Sequence, residues 1–483
     1  MQLSSSHSEP ADQDLPQTPL QWIQVSPNSP YFITEQGDPW TPIGQNDAIT
    51  WVELRGLYKR RDIPAAESYL KYLRDHGVTC MRLMLEYSQG VRNHLEQPAG
   101  SFRPAMVQLW DDLFALCERY GLRILLTPFD TFWLWIKWKQ HPYNRANGGP
   151  CANRTEILLC RDTREAIKTR LAFATARWGG SGALFAWDLW NEIHPSHAQD
   201  SAECFSEFID EISSFVRAKE IALHGRAHPQ TVSVFGPHMV LDKRIPETIF
   251  RHPSLDFAST HFYEEGTIDH PRNTVDAALS TARLMREALA ELRDDRPFMD
   301  SEHGPIHTYK DHHRTLPEPF DDEYFRHIQW AHVCAGGAGG GMRWPNRSPH
   351  TLTRGMRQAQ RGLASFLPLI DWECFRRRNL NEEVRVEGQA VKVVASGDTN
   401  QALAWLIRTD QIGKDHMLRR DATPVSTTLT LPGLQPGRYR ITAWDTLNGH
   451  PVQQFTIDSL STGLCFQTPP LMTDMAFAVR QVA

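Results

Sequence analysis

Nowhere in the 483 residues is there an apolar run of about 18 residues, the length that a membrane-spanning helix needs. The N-terminal stretch Met1–Gln21 is polar and rich in Pro and Ser, with no basic start leading into an apolar core. A secretion signal is therefore not expected, and the reading is a cytoplasmic protein. Blocks of Lys and Arg are also missing, and the formal net charge is −6. That leaves no electrostatic footprint for a nucleic-acid backbone or an anionic membrane. The eight cysteines (Cys80, Cys117, Cys151, Cys160, Cys204, Cys334, Cys374 and Cys465) are scattered and form no CxxC pair. They read as reduced, mostly buried thiols, with a Cys151–Cys160 loop disulfide as the open alternative.

Several cofactor and nucleophile signals are absent as well. The first strand candidate runs into Gly44-Gln45-Asn46-Asp47, which is not a Gly-rich phosphate loop. No GxSxG elbow occurs. The histidines His303, His307, His312 and His313 lack a zinc spacing such as HExxH, so neither a metal nor a cofactor is expected. The run Gly336-Gly337-Ala338-Gly339-Gly340-Gly341 follows a helix and enters a strand, the reverse of the order that offers a helix N-terminus to phosphate; close packing accounts for it better.

What the chain does have is apolar and aromatic mass: 41% hydrophobic residues, 15 Trp, 22 Phe and 11 Tyr. From Trp40 onward short apolar runs alternate with amphipathic stretches, the texture of βα units on a parallel sheet. Eight strands are predicted, at Thr41–Asn46, Thr79–Leu85, Arg123–Pro128, Leu184–Trp190, Thr231–Gly236, Phe257–Tyr263, Pro297–Ser301 and Gly339–Trp344. Helical spacing predicts helices at Ile63–His76, Ala105–Tyr120, Arg161–Trp178, Ala202–His224, Thr274–Arg293 and Asp322–Cys334, with Thr351–Leu369 closing the series. Eight such repeats predict a (β/α)8 barrel. Beyond Asn379 the pattern becomes alternating, in Val384–Ala395, Ala402–Thr409, Ser426–Leu431, Gly437–Trp444 and Val452–Ile457, with turns between. The expected organisation is an N-terminal lead-in at 1–39, a barrel at 40–375 and a small antiparallel β-sandwich at 380–483.

In such a barrel the reactive groups project from the C-terminal ends of strands. Two strands end in a glutamate: Trp187-Asp188-Leu189-Trp190-Asn191-Glu192 and Met299-Asp300-Ser301-Glu302. The strand count makes them the fourth and seventh, which face each other across the mouth. Two carboxyls on opposite sides of an anomeric carbon are what glycoside cleavage requires, one to protonate the leaving oxygen and one to attack or to activate water. Abundant Trp fits a neutral sugar partner without proving one, because most of these rings must serve the core.

The strand-four motif resembles W-x-L-x-N-E of clan A glycoside hydrolases, and of glycoside hydrolase family 5 in particular, the cellulase and β-mannanase family. The resemblance extends to Gly77-Val78-Thr79-Cys80-Met81-Arg82, Ser259-Thr260-His261-Phe262-Tyr263, the Glu302 strand and Trp344, and it spans about Thr41 to Trp372. It implies a retaining hydrolase of β-linked glycosides of the mannan or glucan type that needs no cofactor. Glu302 would be the nucleophile and Glu192 the general acid/base. Arg82 and Tyr263 would hold Glu302, Asn191 the sugar 2-hydroxyl, and Trp344 the floor beneath the reacting sugar, with His261 beside Glu192 or the substrate. The third strand ends in Asp130-Thr131-Phe132-Trp133 without the histidine common in cellulases, so Asp130 or Trp133 would contact sugar instead, and Asn46 joins them as a candidate. Asp188 replaces the Glu usual in the related branch and leaves the catalytic pair untouched. The segment Ile136–Thr163, rich in turn formers, reads as an active-site loop on the barrel's C-terminal face, and Trp133, Trp135 and Trp138 would either stack sugars or pack that loop down. Glu86, Glu264 and Glu265 are weaker rival acids. An exo-acting β-glycosidase and a non-catalytic sugar-binding barrel remain the competing readings, and the oligomeric state is open.

Overall fold

The computed structural model describes residues 19–85, 94–201, 203–306 and 315–482. Glu86, His307, His312 and His313 lie outside the described residues, as does most of Met1–Gln21.

Strand β1 (Gly44–Asp47) pairs in parallel with β2 (Cys80–Met84), β2 with β3 (Arg123–Thr127) and β3 with β4 (Leu184–Asp188). Strand β5 comes in two pieces: Gln230–Thr231 pairs with β4, and Ser233–Phe235 pairs with β6 (Ala258–Phe262). Strand β6 in turn pairs with β7 (Phe298–His303). Arg343 then bridges His303 on one side and Gln45 on the other, so the pairing returns to β1. The expected eighth strand, Gly339–Trp344, is thus reduced to single bridges at Arg343. Gly339 and Gly341 hold φ of +114° and +75°, which interrupts an extended backbone. A Cβ at Gly341 would meet the His332 ring at 2.7 Å, and one at Gly339 would meet the Pro42 carbonyl at 2.3 Å. The glycine run therefore serves close packing. Every residue of β2, β3, β4, β6 and β7 is buried, as a parallel sheet covered by helices requires.

The helices α1 (Ile63–Asp75), α2 (Pro104–Tyr120), α4 (Arg161–Trp178) and α5 (Glu203–His224) fall close to their predicted places, and the short α3 (Thr131–Lys137) was not predicted. After the short α6 (Gly236–Leu241) come α7 (Thr274–Glu291), α8 (Glu318–Cys334) and α9 (Arg354–Phe366). Their starts carry the capping chemistry that satisfies exposed N–H groups: Asp62 accepts from Ala65, Asn273 from Val275 and Asp276, and Thr353 from Met356. Ahead of the ring, Ile23–Val25, Phe32–Thr34 and Pro39–Trp40 form a small antiparallel sheet. Its Phe32 meets Phe185 and Phe257 edge-on with centroids 4.9 and 5.4 Å apart, closing the end of the ring from which β4 and β6 start.

The C-terminal region is antiparallel. One sheet runs in the order Arg378–Asn379, Val391–Gly397, Gln401–Arg408, Asp474–Val482, Gly437–Asp445, His450–Ser459; a second holds Arg385–Val386, Thr428–Leu431 and Leu464–Gln467. Leu406, Leu429, Ile441 and Phe477 from both sheets share one core. The outward face of the larger sheet, with Leu403, Trp405 and Ala478, joins the core of the ring. At this junction Arg326 of α8 donates to both oxygens of Asp474 at 2.7 and 2.8 Å, and Trp405 donates to Oδ2 at 2.9 Å. Both charges are buried, and the Arg326 guanidinium holds the Asp474 carboxyl well below its usual range against the cost of burial.

Removing one member of such a pair leaves a bare buried charge. Arg326→Met should cost about 3–5 kcal/mol in denaturant unfolding at neutral pH. Because the Asp474 pKa is depressed in the folded state, that contribution should hold at neutral pH and fade only in acid below the ordinary Asp range.

Candidate active site

The ends of β2, β4, β6 and β7 converge on one cavity of about 880 Å³, lined by Asn191, Glu192, Tyr263, Glu302, Trp133 and Trp344 among others. Beneath it, Arg82 is 1% exposed and is the centre of the polar network. Its guanidinium donates to Asp188 at 2.7 Å, to Glu302 Oε2 at 2.9 Å, to Asn46 Oδ1 at 2.9 Å and to Asn191 Oδ1. Asp188 also accepts from the Ser233 amide at 2.9 Å. A buried arginine with five N–H donors needs this many acceptors, and the ring strands supply them.

Glu302 receives a second hydrogen bond from the Tyr263 hydroxyl at 2.8 Å, on its other oxygen. Glu192 stands opposite. Its Oε1 meets His261 Nδ1 at 2.6 Å, and its backbone turns through a φ of +49° just past β4, which a non-glycine residue adopts only where surroundings hold it. The Ser233 hydroxyl accepts from the Glu192 amide at 3.3 Å and helps hold that turn. The remaining ring nitrogen of His261 lies 3.1 Å from Ser301 Oγ, itself 2.6 Å from Ser259 Oγ. One oxygen from each glutamate and a nitrogen of His261 all lie within 4.8 Å of one another.

Burial acts on the two acids alike, but their partners differ. Burial pushes Glu192 up to about 7, with Arg82 pulling against it and Asp188 adding to it. Glu302 is also raised by burial and by the neighbouring Glu192, while Arg82 and the Tyr263 hydroxyl pull it back. Burial pushes His261 down to about 4, so its imidazole is neutral at pH 7.

Two groups of potential metal donors occur among the described residues. One is Glu192, His261 and Glu302 themselves; the other is Asp300, His303 and His332, buried behind β7.

The sequence-predicted residues do not all reach the cavity. Asn46 does not: it is 1% exposed, with its oxygen on Arg82 and its amide donating to the Ser301 and Met342 carbonyls at 3.0 and 3.1 Å. It is a strut for the arginine rather than a sugar ligand, because β1 points it into the ring. Asp130 lines the cavity, yet its carboxylate caps α3 through the Phe132 and Trp133 amides and accepts from Asn191 Nδ2 at 2.6 Å. Of the three loop tryptophans only Trp133 is among the lining residues. Trp135 lies under the Arg154 guanidinium at 3.5 Å and Trp138 stacks on His141, so these two pin the loop down. Glu264 pairs with Arg283. Cys151 and Cys160 are free thiols, and four of the eight cysteines are buried. Sequence reasoning noticed Asp188 but gave it no role, and passed over Ser233 and Ser301. Asp188 and Ser301 precede the catalytic candidates on the same strands, which was the available signal.

No protein-family model matches the sequence. The chain is 22% identical over 214 residues to mannan endo-1,4-beta-mannosidase 7 of Arabidopsis thaliana, a stretch covering 39% of this chain and 47% of that protein. The chain thus spans about half the length of the curated relative it matches. A solved structure of a glycoside hydrolase family 5 protein from Bacteroides vulgatus superposes at a TM-score of 0.60 and 12% identity, over 95% of this chain and 93% of that one. The fold is that of glycoside hydrolase family 5. A second family 5 structure, a mannosidase from Rhizomucor miehei in complex with mannosyl-fructose, matches at a TM-score of 0.50 and 15% identity, over 69% of this chain and 90% of that one. Arg82, Asn191, Glu192, His261, Tyr263 and Glu302, at which the sequence reading finds a resemblance to this family, are joined by the network above, and Trp344 lines the cavity.

A ¹³C-carboxyl titration should find Glu192 turning over near pH 7, well above a solvated glutamate. A midpoint at the ordinary glutamate value would show that water reaches it freely.

Proposed function

We propose that the protein is a retaining hydrolase of β-linked glycosides, of the mannan or glucan type, built on a (β/α)8 barrel at 40–375 with a C-terminal β-sandwich at 380–483 and a lead-in at 1–39. The observation that carries this reading is the approach of the two acids: an oxygen of Glu192 and an oxygen of Glu302 within 4.8 Å, in one cavity. Retaining enzymes hold their carboxyls about 5–5.5 Å apart, and inverting ones leave roughly 6.5–9.5 Å for a water. The close approach favours direct attack by one acid on the sugar. The choice of a mannan-type sugar is supported by the names of the Arabidopsis relative and the Rhizomucor structure.

The two roles follow from the partners. Glu302, between a fixed cation and a tyrosine hydroxyl, is the nucleophile, since both contacts favour its ionised form. Glu192, raised to about 7, keeps a proton for the departing oxygen and, once it has given it up, deprotonates the water that frees the sugar. Asn191, oriented by Arg82 and Asp130, holds the 2-hydroxyl, and Trp344 underlies the ring. Among the described residues no helix is long and apolar enough to cross a membrane. The partner is an oligosaccharide or glycoside, and no cofactor takes part in the reaction.

Aryl β-mannosides and β-glucosides are the direct test. Glu302→Ala should lose roughly 10⁴-fold or more in kcat. Glu192→Ala should slow substrates with poor leaving groups far more than activated ones, because acid assistance matters least when the leaving group is already stable. Either variant near wild-type activity would overturn the assignment.

The rate should also depend on pH in a set direction. Glu192 must be protonated to act, so kcat/KM should fall as the pH rises through about 7. A rate that stays flat to pH 9 would remove Glu192 from the acid role.

A further inference from the structure

Strand β7 is not regular. Its pairing with β6 slips by one residue, so that Thr260 faces Asp300 but His261 faces Glu302, and Ser301 is the extra residue of a bulge. In a regular strand, neighbours point to opposite faces. Here Ser301 and Glu302 both point into the ring, where Ser301 meets His261 and Glu302 meets Arg82 and Tyr263. Asp300 points the other way, toward α8. The bulge is what lets consecutive residues serve both acids.

A bulge leaves backbone N–H groups without strand partners. Asp300 Oδ1 accepts from the Phe262 amide at 3.1 Å and from the Glu302 amide at 3.4 Å, on both sides of the slip. Its other oxygen lies 2.9 Å from His303 Nδ1 and 2.8 Å from His332 Nε2. These two contacts lie off the line of the ring N–H bonds, and burial pushes His303 down to about 4. All three side chains are at most 1% exposed. His332 Nδ1 lies 2.9 Å from the Ile328 carbonyl, which can only accept, so that nitrogen carries a proton and the ring is fixed on α8. The neighbouring imidazoles hold the Asp300 carboxyl down to about 2, against the cost of burial, so it is ionised. An ionised carboxylate in the core is costly unless it is hydrogen-bonded, and the two backbone amides on Oδ1 supply that here.

From this arrangement we infer that Asp300, anchored by His303 and His332, is the positioning residue that sets the β7 bulge and thereby aims Glu302 at the site facing Glu192. Asp300 is not among the residues lining the cavity and acts through the backbone of residues 262 and 302. The inference rests on the hydrolase reading for its kinetic part.

The test uses the full-length protein, with Asp300→Ala, Asp300→Asn and His332→Gln assayed on an aryl β-glycoside that the wild type cleaves. Asp300→Ala should lower kcat roughly 100-fold, the cost of a misplacement of about 1 Å, with KM changed by no more than about threefold. The acid limb of its pH profile should move to higher pH, since a Glu302 that drifts from Arg82 loses the cation that favours its ionised form, while the alkaline limb set by Glu192 stays. Asp300→Asn, whose amide oxygen can still accept from both backbone groups, should recover most of the rate, and His332→Gln should fall between. A crystal structure of Asp300→Ala supplies a readout that does not depend on activity: the Arg82–Glu302 contact should lengthen and the β6–β7 slip should relax. An Asp300→Ala protein that folds with unchanged kcat and an unmoved acid limb would overturn the inference. So would an intact bulge in that crystal structure, or a stoichiometric metal ion on Asp300, His303 and His332 by elemental analysis of the wild type. If the wild type cleaves no glycoside, the hydrolase reading fails by itself, and the structural readout still decides the positioning role.

Discussion

The guanidinium of Arg82, shared by two carboxylates and two amide oxygens deep in the ring, is the interaction on which the rest is built. A buried cation of this kind is tolerable only if every nearby acceptor is aimed at it. Asp188 on β4, Asn46 on β1, Asn191 past β4 and Glu302 on β7 each give up an oxygen to that end. The same geometry that satisfies the arginine fixes three strand ends relative to one another. Order at the mouth of the cavity is therefore a by-product of solving a solvation problem beneath it.

From this follows the difference between the two glutamates. Both are buried enough to resist ionisation, but Glu302 is held by a cation and a phenol hydroxyl, whereas Glu192 has a neutral imidazole beside it and a backbone bent into the left-handed region. Two carboxyls of equal chemistry thus meet unequal surroundings, as the proposed pairing of an acid with a nucleophile would require.

Much of this was legible in the sequence, for identifiable reasons. The helices Arg161–Trp178 and Pro104–Tyr120 announce themselves by spacing, and the seven strands by apolar runs between turn formers. Glu192 and Glu302 stand out because each ends such a run with a charge. Other features depend on contacts between distant parts of the chain. Asn46 looked like a ligand because a polar residue at a strand end usually faces the cavity; only the closure of the ring shows it turned toward Arg82. Asp188 looked interchangeable, since nothing local reveals that it faces a buried cation. The strand Asp474–Val482 was missed because it lies in the middle of its sheet and is apolar on both faces, so the alternation that exposes an edge strand is absent. The eighth strand was overcalled because hydrophobicity cannot see the left-handed glycines within it.

Helix α8 touches more of this molecule than its length suggests. Along one stretch it presents Arg326 to Asp474 of the C-terminal sheet, and two turns later His332 to Asp300 of β7; from its first turn Asp321 receives Arg343, the residue that completes the ring. The division of the chain into a ring and a trailing β-rich region is thus a division of sequence texture, not of mechanics. A chain cut after the ring would keep every residue around the cavity and still lose the counter-charge on Arg326 and the cover over Trp330 and Phe366, where Trp444 packs. The two parts share one buried contact surface, and the trailing sheet belongs to the scaffold around the ring.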